Sequence, residues 1–255
     1  VLKGYSLLQR YNCQGCHIID DFGGQIVDVI GSAEYSPPNL NTQGVKTQPD
    51  WLFNFFKNPI TIRPNLQVRM PSFTMLNDDD WNAIITAFQD MENHNLSFES
   101  HAKIDPSSTE FKAGIKLHEL GACNNCHFYG EVFPVQTAST WAPNLAMTKD
   151  RLRHDWVIEW LRDPQNIMPG TKMPAPYLPT NDLLEGPDAI ETWGVDLVRL
   201  GGDNDAMLKG LTDYLYSIDG KTDISKIVKD YFKVNGYDFN SSDEDEDEDD
   251  WDDEW

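Results

Sequence analysis

The four cysteines of this 255-residue chain stand in two pentapeptides, Cys13-Gln14-Gly15-Cys16-His17 and Cys123-Asn124-Asn125-Cys126-His127. C-x-x-C-H is the pattern by which c-type haem is attached. Two thiols three positions apart can add to the two vinyl groups of one porphyrin, and the adjacent histidine then lies beneath the iron as its proximal ligand. Three other readings compete. A pair of zinc knuckles would need four ligands close together, but the two pairs are 110 residues apart and each is followed by His. A thioredoxin-like dithiol would open a helix after a buried strand, whereas the stretch from Tyr5 to Tyr11 reads as helix. Two structural disulfides are the third alternative, and the haem reading is preferred to all of them.

An electron-carrying haem iron takes a sixth ligand, and a Met thioether opposite His raises the potential and keeps water off the metal. Of seven methionines, two stand in the same setting. Asn58-Pro59 is followed by Val68-Arg69-Met70-Pro71, and Asp163-Pro164 by Met168-Pro169-Gly170-Thr171-Lys172-Met173-Pro174. Met70 and Met173 are the candidates. Met168 competes with Met173 but lacks its counterpart in the first half. Met75, Met91, Met147 and Met207 read as core residues. His94, His101, His118 and His154 lie outside the motifs and read as surface or core histidines, with His118 closest to a cysteine pair.

Comparing the chain with itself supports this choice. Cys13 maps to Cys123 at an offset of 110, Pro38-Asn39-Leu40 to Pro143-Asn144-Leu145 and Trp51 to Trp156 at 105, Pro59 to Pro164 at 105, and Met70 to Met173 at 103. The order of these landmarks is kept with small loop deletions, as a tandem duplication would leave them.

Each half thus resembles a class I cytochrome c domain, and the whole resembles a di-haem cytochrome c. The likeness rests on the haem motif, the downstream Pro-Asn-Leu, a helix ending in Asn-Pro or Asp-Pro, and the Met-Pro loop, across most of residues 1 to 218. It implies an all-α fold of two tandem class I cytochrome c-like helical domains, each wrapped around one covalent haem c. It further implies that Cys13, Cys16, Cys123 and Cys126 carry the haems and that His17, Met70, His127 and Met173 ligate the irons. The carbonyls of Pro38 and Pro143 would accept a hydrogen bond from the proximal histidines. Such a bond fixes the imidazole tautomer and raises its basicity toward iron.

Helical periodicity agrees. Asn77 to Asp80 caps a run with Trp81, Ile84, Ile85, Phe88 and Met91 on one face, which closes the first domain. Asp203 or Asp205 opens its counterpart with Met207, Leu211, Tyr214, Leu215 and Ile218, ended by Gly220. Pro49 starts a helix through Lys57, and Arg151 to Arg162 is its equivalent. Thr109 to Gly121 leads into the second motif. The boundaries read as domain one over 1–96, a polar linker over 97–108, domain two over 109–222, and a C-terminal extension over 223–255. The second half carries an insertion over 177–205, with Pro187 to Leu200 as an extra helix stopped by Gly201-Gly202. Packing and docking are the roles expected of it.

The formal net charge is −22, and eleven acids with no base fall between Asp243 and Glu254. Such a segment cannot bury enough surface to offset its ordering entropy, so a disordered acidic tail is expected, either solubilising or an arm for a cationic partner with Trp251 and Trp255 as anchors. The excess of acid argues against nucleic acid as a partner. No apolar run of about 18 residues occurs in the chain. Covalent haem c is attached outside the cytoplasm in bacteria, so the motifs place the chain in the periplasm or at the cell surface.

The expected function is single-electron transfer between redox partner proteins bearing a basic docking face, as a soluble carrier or as a subunit of a membrane respiratory complex. No catalytic residues are assigned. The alternative is a di-haem oxidoreductase, of peroxidase or thiosulfate-oxidising type, with one open-site haem.

Overall fold

The computed structural model describes residues 1–32, 35–63, 66, 68–92 and 103–235. Helix α1 (Leu2–Arg10) buries Leu7 and Leu8 and carries Arg10 in its last turn, where a cation complements the helix dipole. The short helix α2 (Cys13–Cys16) is the first cysteine turn. Strands β1 (Ile18–Ile19) and β2 (Phe22–Gly23) form an antiparallel hairpin in the register Ile18 with Gly23 and Ile19 with Phe22. Then follow α3 (Ile26–Ile30), α4 (Gln43–Lys46) and α5 (Pro49–Lys57), the last begun by proline at a position where no amide donor is needed.

Helix α6 (Asp78–Met91) opens with a reciprocal capping box: the Asn77 side chain accepts from the Asp80 amide, and the Asp80 carboxylate from that of Asn77. Its buried face, Trp81, Ile84, Ile85 and Phe88, packs with Leu7, Leu8, Leu52 and Phe56 into one apolar cluster. Glycine sets the crossing of α1 on α6. A Cβ at Gly4 would lie 2.0 Å from the Ala83 carbonyl oxygen.

The same device recurs between α7 (Thr109–Leu120) and a later helix, where a Cβ at Gly114 would lie 2.1 Å from the Gly210 carbonyl oxygen. After the second cysteine turn come α8 (Thr148–Arg151), α9 (His154–Arg162) and α10 (Pro164–Ile167). The helix expected over 151–162 is therefore broken. Leu152 and Arg153 are extended, because their backbones pair with another part of the chain. The helix expected over 187–200 also divides, into α12 (Ala189–Trp193) and α13 (Val195–Leu200), after a turn of α11 (Asn181–Leu184). Gly194, at φ +84°, makes that break, and Gly201 in the left-handed region ends α13 as expected. Asp203 caps α14 (Asn204–Tyr216) by accepting from the Ala206 amide. This helix stops at Tyr216, short of Ile218 and Gly220.

A second apolar cluster gathers Leu117, Trp156, Leu161, Leu197, Met207 and Leu211. A third is formed by α15 (Ser225–Val234), whose Val228 and Phe232 pack on Phe128 and Trp141 beside the second cysteine turn. Sequence reasoning assigns no element to this stretch of the C-terminal extension. Its signal is present in Ile227, Val228, Tyr231 and Phe232, spaced as one helix face. Met147 and Met207 are buried as expected and Met91 is partly so, but Met75 is 64% exposed and is not a core residue. The acidic segment 243–254, the linker residues 97–102, and His94, His101, Trp251 and Trp255 lie outside the described residues.

The two principal clusters meet along a backbone seam. Thr47 and Leu152 form an antiparallel bridge, the Gln48 amide donates to the Arg151 carbonyl at 2.9 Å, and the Arg153 amide to the Lys46 carbonyl at 2.9 Å. Gln48 Nε2 and the Tyr216 hydroxyl both donate to the Leu152 carbonyl. These bonds satisfy buried polar groups that would otherwise be costly to leave unpaired.

Candidate functional site

The first cysteine turn is entered through Asn12 at φ +51°, a left-handed conformation that Asn tolerates better than most residues. The His17 amide donates to the Cys13 carbonyl at 2.9 Å, which closes the cysteine turn. Its Nδ1 is 2.8 Å from the Pro38 carbonyl oxygen. A carbonyl can only accept, so Nδ1 carries the proton and Nε2 keeps its lone pair. The Pro38 carbonyl is held in register because the Leu40 amide donates to the Ile18 carbonyl at 2.9 Å and the Asn39 side chain accepts from the Asn41 amide at 2.8 Å.

Around the second turn the same bonds occur in the same order. Ala122 enters it at φ +47°, the His127 amide donates to the Cys123 carbonyl at 3.0 Å, and His127 Nδ1 donates to the Pro143 carbonyl at 2.7 Å. The Leu145 amide donates to the Phe128 carbonyl at 2.9 Å, and the Asn144 side chain accepts from the Ala146 amide at 3.1 Å. Asn144 Nδ2 also donates to the carbonyls of Gly130 and Lys221, which ties this loop to the chain leading into α15.

Burial holds both imidazoles below the ordinary value, against the opposing pull of the Pro38 and Pro143 carbonyls. Neutral imidazole is the form that binds a metal. Burial also pushes the Cys13 and Cys123 thiols up. That is the opposite of a thioredoxin-like dithiol, whose nucleophile needs a lowered value. Among the described residues no three His, Cys, Asp or Glu side chains converge to cage a metal ion. A cysteine pair followed by an imidazole whose Nδ1 is engaged by a carbonyl is the donor set a covalently attached haem requires: the thiols for its vinyl groups, Nε2 for its iron.

Met70 packs against the first apolar cluster and Met173 against the second. The Met173 sulfur accepts a hydrogen bond from Trp160 Nε1 at 2.8 Å, and Trp160 stacks on Trp156 with ring centroids 5.2 Å apart. The corresponding first-half stack is Trp51 on Phe55, at 5.0 Å, and has no donor at the second ring. His118 bonds to the Tyr129 hydroxyl and meets the Tyr214 ring edge-on, while His154 Nε2 is 2.7 Å from Asp213 Oδ1. Sequence reasoning misses Trp160 as a partner of Met173 and misses the left-handed residue before each cysteine pair. In the sequence the indole reads only as a helix-face aromatic, and nothing around Ala122 announces its φ.

A mostly helical fold with a cysteine-turn histidine held through Nδ1 fits a c-type cytochrome domain. Residues 1–86 match the model of the family described as Cytochrome C oxidase, cbb3-type, subunit III, which supports that class independently. No curated protein and no solved structure matches the chain.

Proposed function

We propose that the chain is a di-haem c-type cytochrome, built from two tandem cytochrome c domains over 1–96 and 109–222, that passes single electrons between redox partners. The observation that carries this reading is the repeated imidazole bond, His17 to Pro38 at 2.8 Å and His127 to Pro143 at 2.7 Å, each beside its own cysteine pair. In this reading Cys13 and Cys16 would hold one haem and Cys123 and Cys126 the other, with His17 and Met70, and His127 and Met173, as the donors to the two irons.

Each haem supplies an iron that takes up and gives back one electron. The protein's part is to hold, insulate and tune. The Pro38 and Pro143 carbonyls orient the imidazoles and increase their donation. Phe56 stacks on Trp81, with centroids 4.8 Å apart, and Trp156 on Trp160, within the apolar clusters against which Met70 and Met173 pack. A thioether from Met70 and from Met173 would leave neither iron open to substrate, which favours an electron carrier over an enzyme.

The cbb3-type subunit III likeness over residues 1–86 supports service in a respiratory oxidase assembly, with donors or acceptors presenting a basic face to this acidic chain. The setting is extracytoplasmic. Among the described residues no helix is long and apolar enough to cross a membrane. The test is visible and near-infrared absorption in both oxidation states with carbon monoxide added. Two low-spin haems, a Met-to-iron charge-transfer band and no response to carbon monoxide are expected. A carbon-monoxide-reactive haem would replace this reading with that of a di-haem oxidoreductase.

A further inference from the structure

The stretch from Tyr177 to Asp205, which the first half lacks, carries two apolar sets. Leu184 and Leu197 turn inward into the second apolar cluster, with Leu178 and Trp193 partly buried against it. Tyr177, Leu183, Ile190 and Val195 turn outward, Tyr177 being 63% and Ile190 62% exposed. Trp193 joins the two sets. Its ring stacks on that of Tyr177 with centroids 5.9 Å apart, and it stands one helical turn from Ile190 on α12. A single exposed hydrophobic side chain needs no explanation. An aromatic pair with Ile190 beside it, and Leu183 and Val195 exposed on the adjoining short helices, is the composition of an interface centre.

Charge on the same stretch is one-sided. Seven acids and one base, Arg199, fall between Tyr177 and Asp205. Three of the acids serve the fold: Asp196 pairs with Arg199, Asp205 pairs with Arg162, and Asp203 caps α14. The other four, Asp182, Glu185, Asp188 and Glu191, recur every third residue along α11, α12 and the turn between them, and all are exposed. The acidic run ends at α7, where Lys112 and Lys116 border a shallow hollow with Trp193 and Val195, Lys116 itself pairing with Glu119. The stretch also lies beside the second candidate site. Tyr177 follows Met173 by four residues, a reach of about 14 Å at most, and Met173, Leu178 and Trp193 pack on one cluster. In the first half the chain passes from Met70 to α6 at Asp78 with no room for such a face.

We propose that α11 and α12, with Tyr177 and Trp193 at the centre and Asp182, Glu185, Asp188 and Glu191 as the rim, form the docking face for a basic redox protein that exchanges electrons with the second site. The inference rests on the electron-transfer reading of the second half and names the partner and the surface it takes. Charge selects the occupant. A second copy of this chain in a two-fold interface would set these four acids against themselves, and an anionic membrane surface would be repelled in the same way. A protein with Lys and Arg around an apolar centre is attracted, and the attraction speeds its approach at low salt. The stacked rings then offer it a large apolar surface at small cost in side-chain freedom. In the exchange no bond forms or breaks: one electron leaves the reduced centre of one protein and the oxidised centre of the other takes it up.

The test uses the full holoprotein with a basic single-haem cytochrome c as the probe. A haemochrome count comes first: an empty second site fails both the di-haem reading and this inference, whereas the later outcomes bear on the docking face alone. Stopped-flow mixing of the reduced chain with the oxidised probe gives a second-order rate constant, and calorimetric titration of the two oxidised proteins gives their affinity. Asp188→Lys combined with Glu191→Lys is expected to slow the reaction and weaken binding about tenfold at low ionic strength, the difference vanishing as salt is raised. Ile190→Ser and Tyr177→Ser are each expected to weaken binding about fivefold at every salt concentration. The same charge change placed elsewhere, Asp28→Lys combined with Asp150→Lys, is expected to keep both readings within about twofold of wild type. Visible spectra and potentials of all variants should match wild type, so that the rates report docking. The charge and apolar variants are independent, so poor folding of one set leaves the other decisive. Rim-reversed variants that react and bind as wild type does, or a control pair that slows the reaction equally, overturn the proposal. So does a wild-type dimer in sedimentation that Ile190→Ser dissolves, which would give the face to a second copy.

Discussion

Around Cys13–His17 and around Cys123–His127 the same set of bonds recurs, from the histidine amide through its Nδ1 to the Asn side chain that steadies the loop. The surroundings do not. The first site is bordered by the Ser36–Arg63 bond and the aromatic packing of α5 on α6. The second is covered by α15 through Phe128 and Trp141, flanked by α11 to α13, and has an indole donating to its candidate methionine. The comparison separates two kinds of constraint. Orienting an imidazole requires particular atoms at hydrogen-bond distance and admits few solutions, while excluding water admits any apolar cover of the right shape.

The largest effect expected is from removing either imidazole. His17→Ala and His127→Ala should each abolish low-spin ligation at one iron and spare the other, read as loss of about half the low-spin signal in the visible spectrum, the fraction set by the two-site account. Equal loss at both irons from either variant would mean that the halves are not equivalent units.

Next in size is the cover that only the second half has. Phe232 is 3% exposed in the third cluster, and Phe232→Ala should destabilise by about 3–5 kcal/mol in denaturant unfolding. The loss should appear first in the spectrum of the second haem. Simultaneous change at both would join α15 to the first half as well.

Acid should affect the halves alike. Burial holds His17 and His127 below the ordinary imidazole value of 6.5, so below that pH the unfolded chain takes up protons that the folded chain refuses. Stability is therefore present above 6.5 and lost as pH falls through and below it, by up to about 1.4 kcal/mol per pH unit for each imidazole. Urea midpoints at a series of pH values between about 7 and 5 check the slope. A flat profile would mean that neither imidazole is held neutral by the fold.

The smallest effect discriminates between the two entrances. Ala122 and Asn12 hold the same left-handed φ, which an alanine adopts less readily than an asparagine. Ala122→Gly should stabilise by about 0.5–1 kcal/mol, and Asn12→Gly by less. Calorimetry of the two variants against wild type gives the order directly.

What could be read in the sequence was what local chemistry dictates. The capping box of Asn77 and Asp80, the Asp203 cap, the proline start of α5 and the Gly201 stop all concern residues within a few positions of one another. The prolines facing each histidine followed from a family resemblance and a matching offset. Elements held by distant partners were not legible. Leu152 and Arg153 leave the helix because Lys46 and Gln48, more than a hundred residues earlier, offer backbone bonds. Helix α15 is ten residues long and owes its place to Phe128 and Trp141. Gly4 and Gly114 look incidental until the facing carbonyls of Ala83 and Gly210 are known.

The central claim is that two cysteine turns with the same imidazole geometry hold two haems. The most direct measurement is the intact mass of the purified holoprotein together with a pyridine haemochrome count against quantitative amino-acid analysis. The expected result is a chain carrying two covalently bound haems per polypeptide; a chain carrying one would contradict the account, and the site that stayed empty would show which half had been misread.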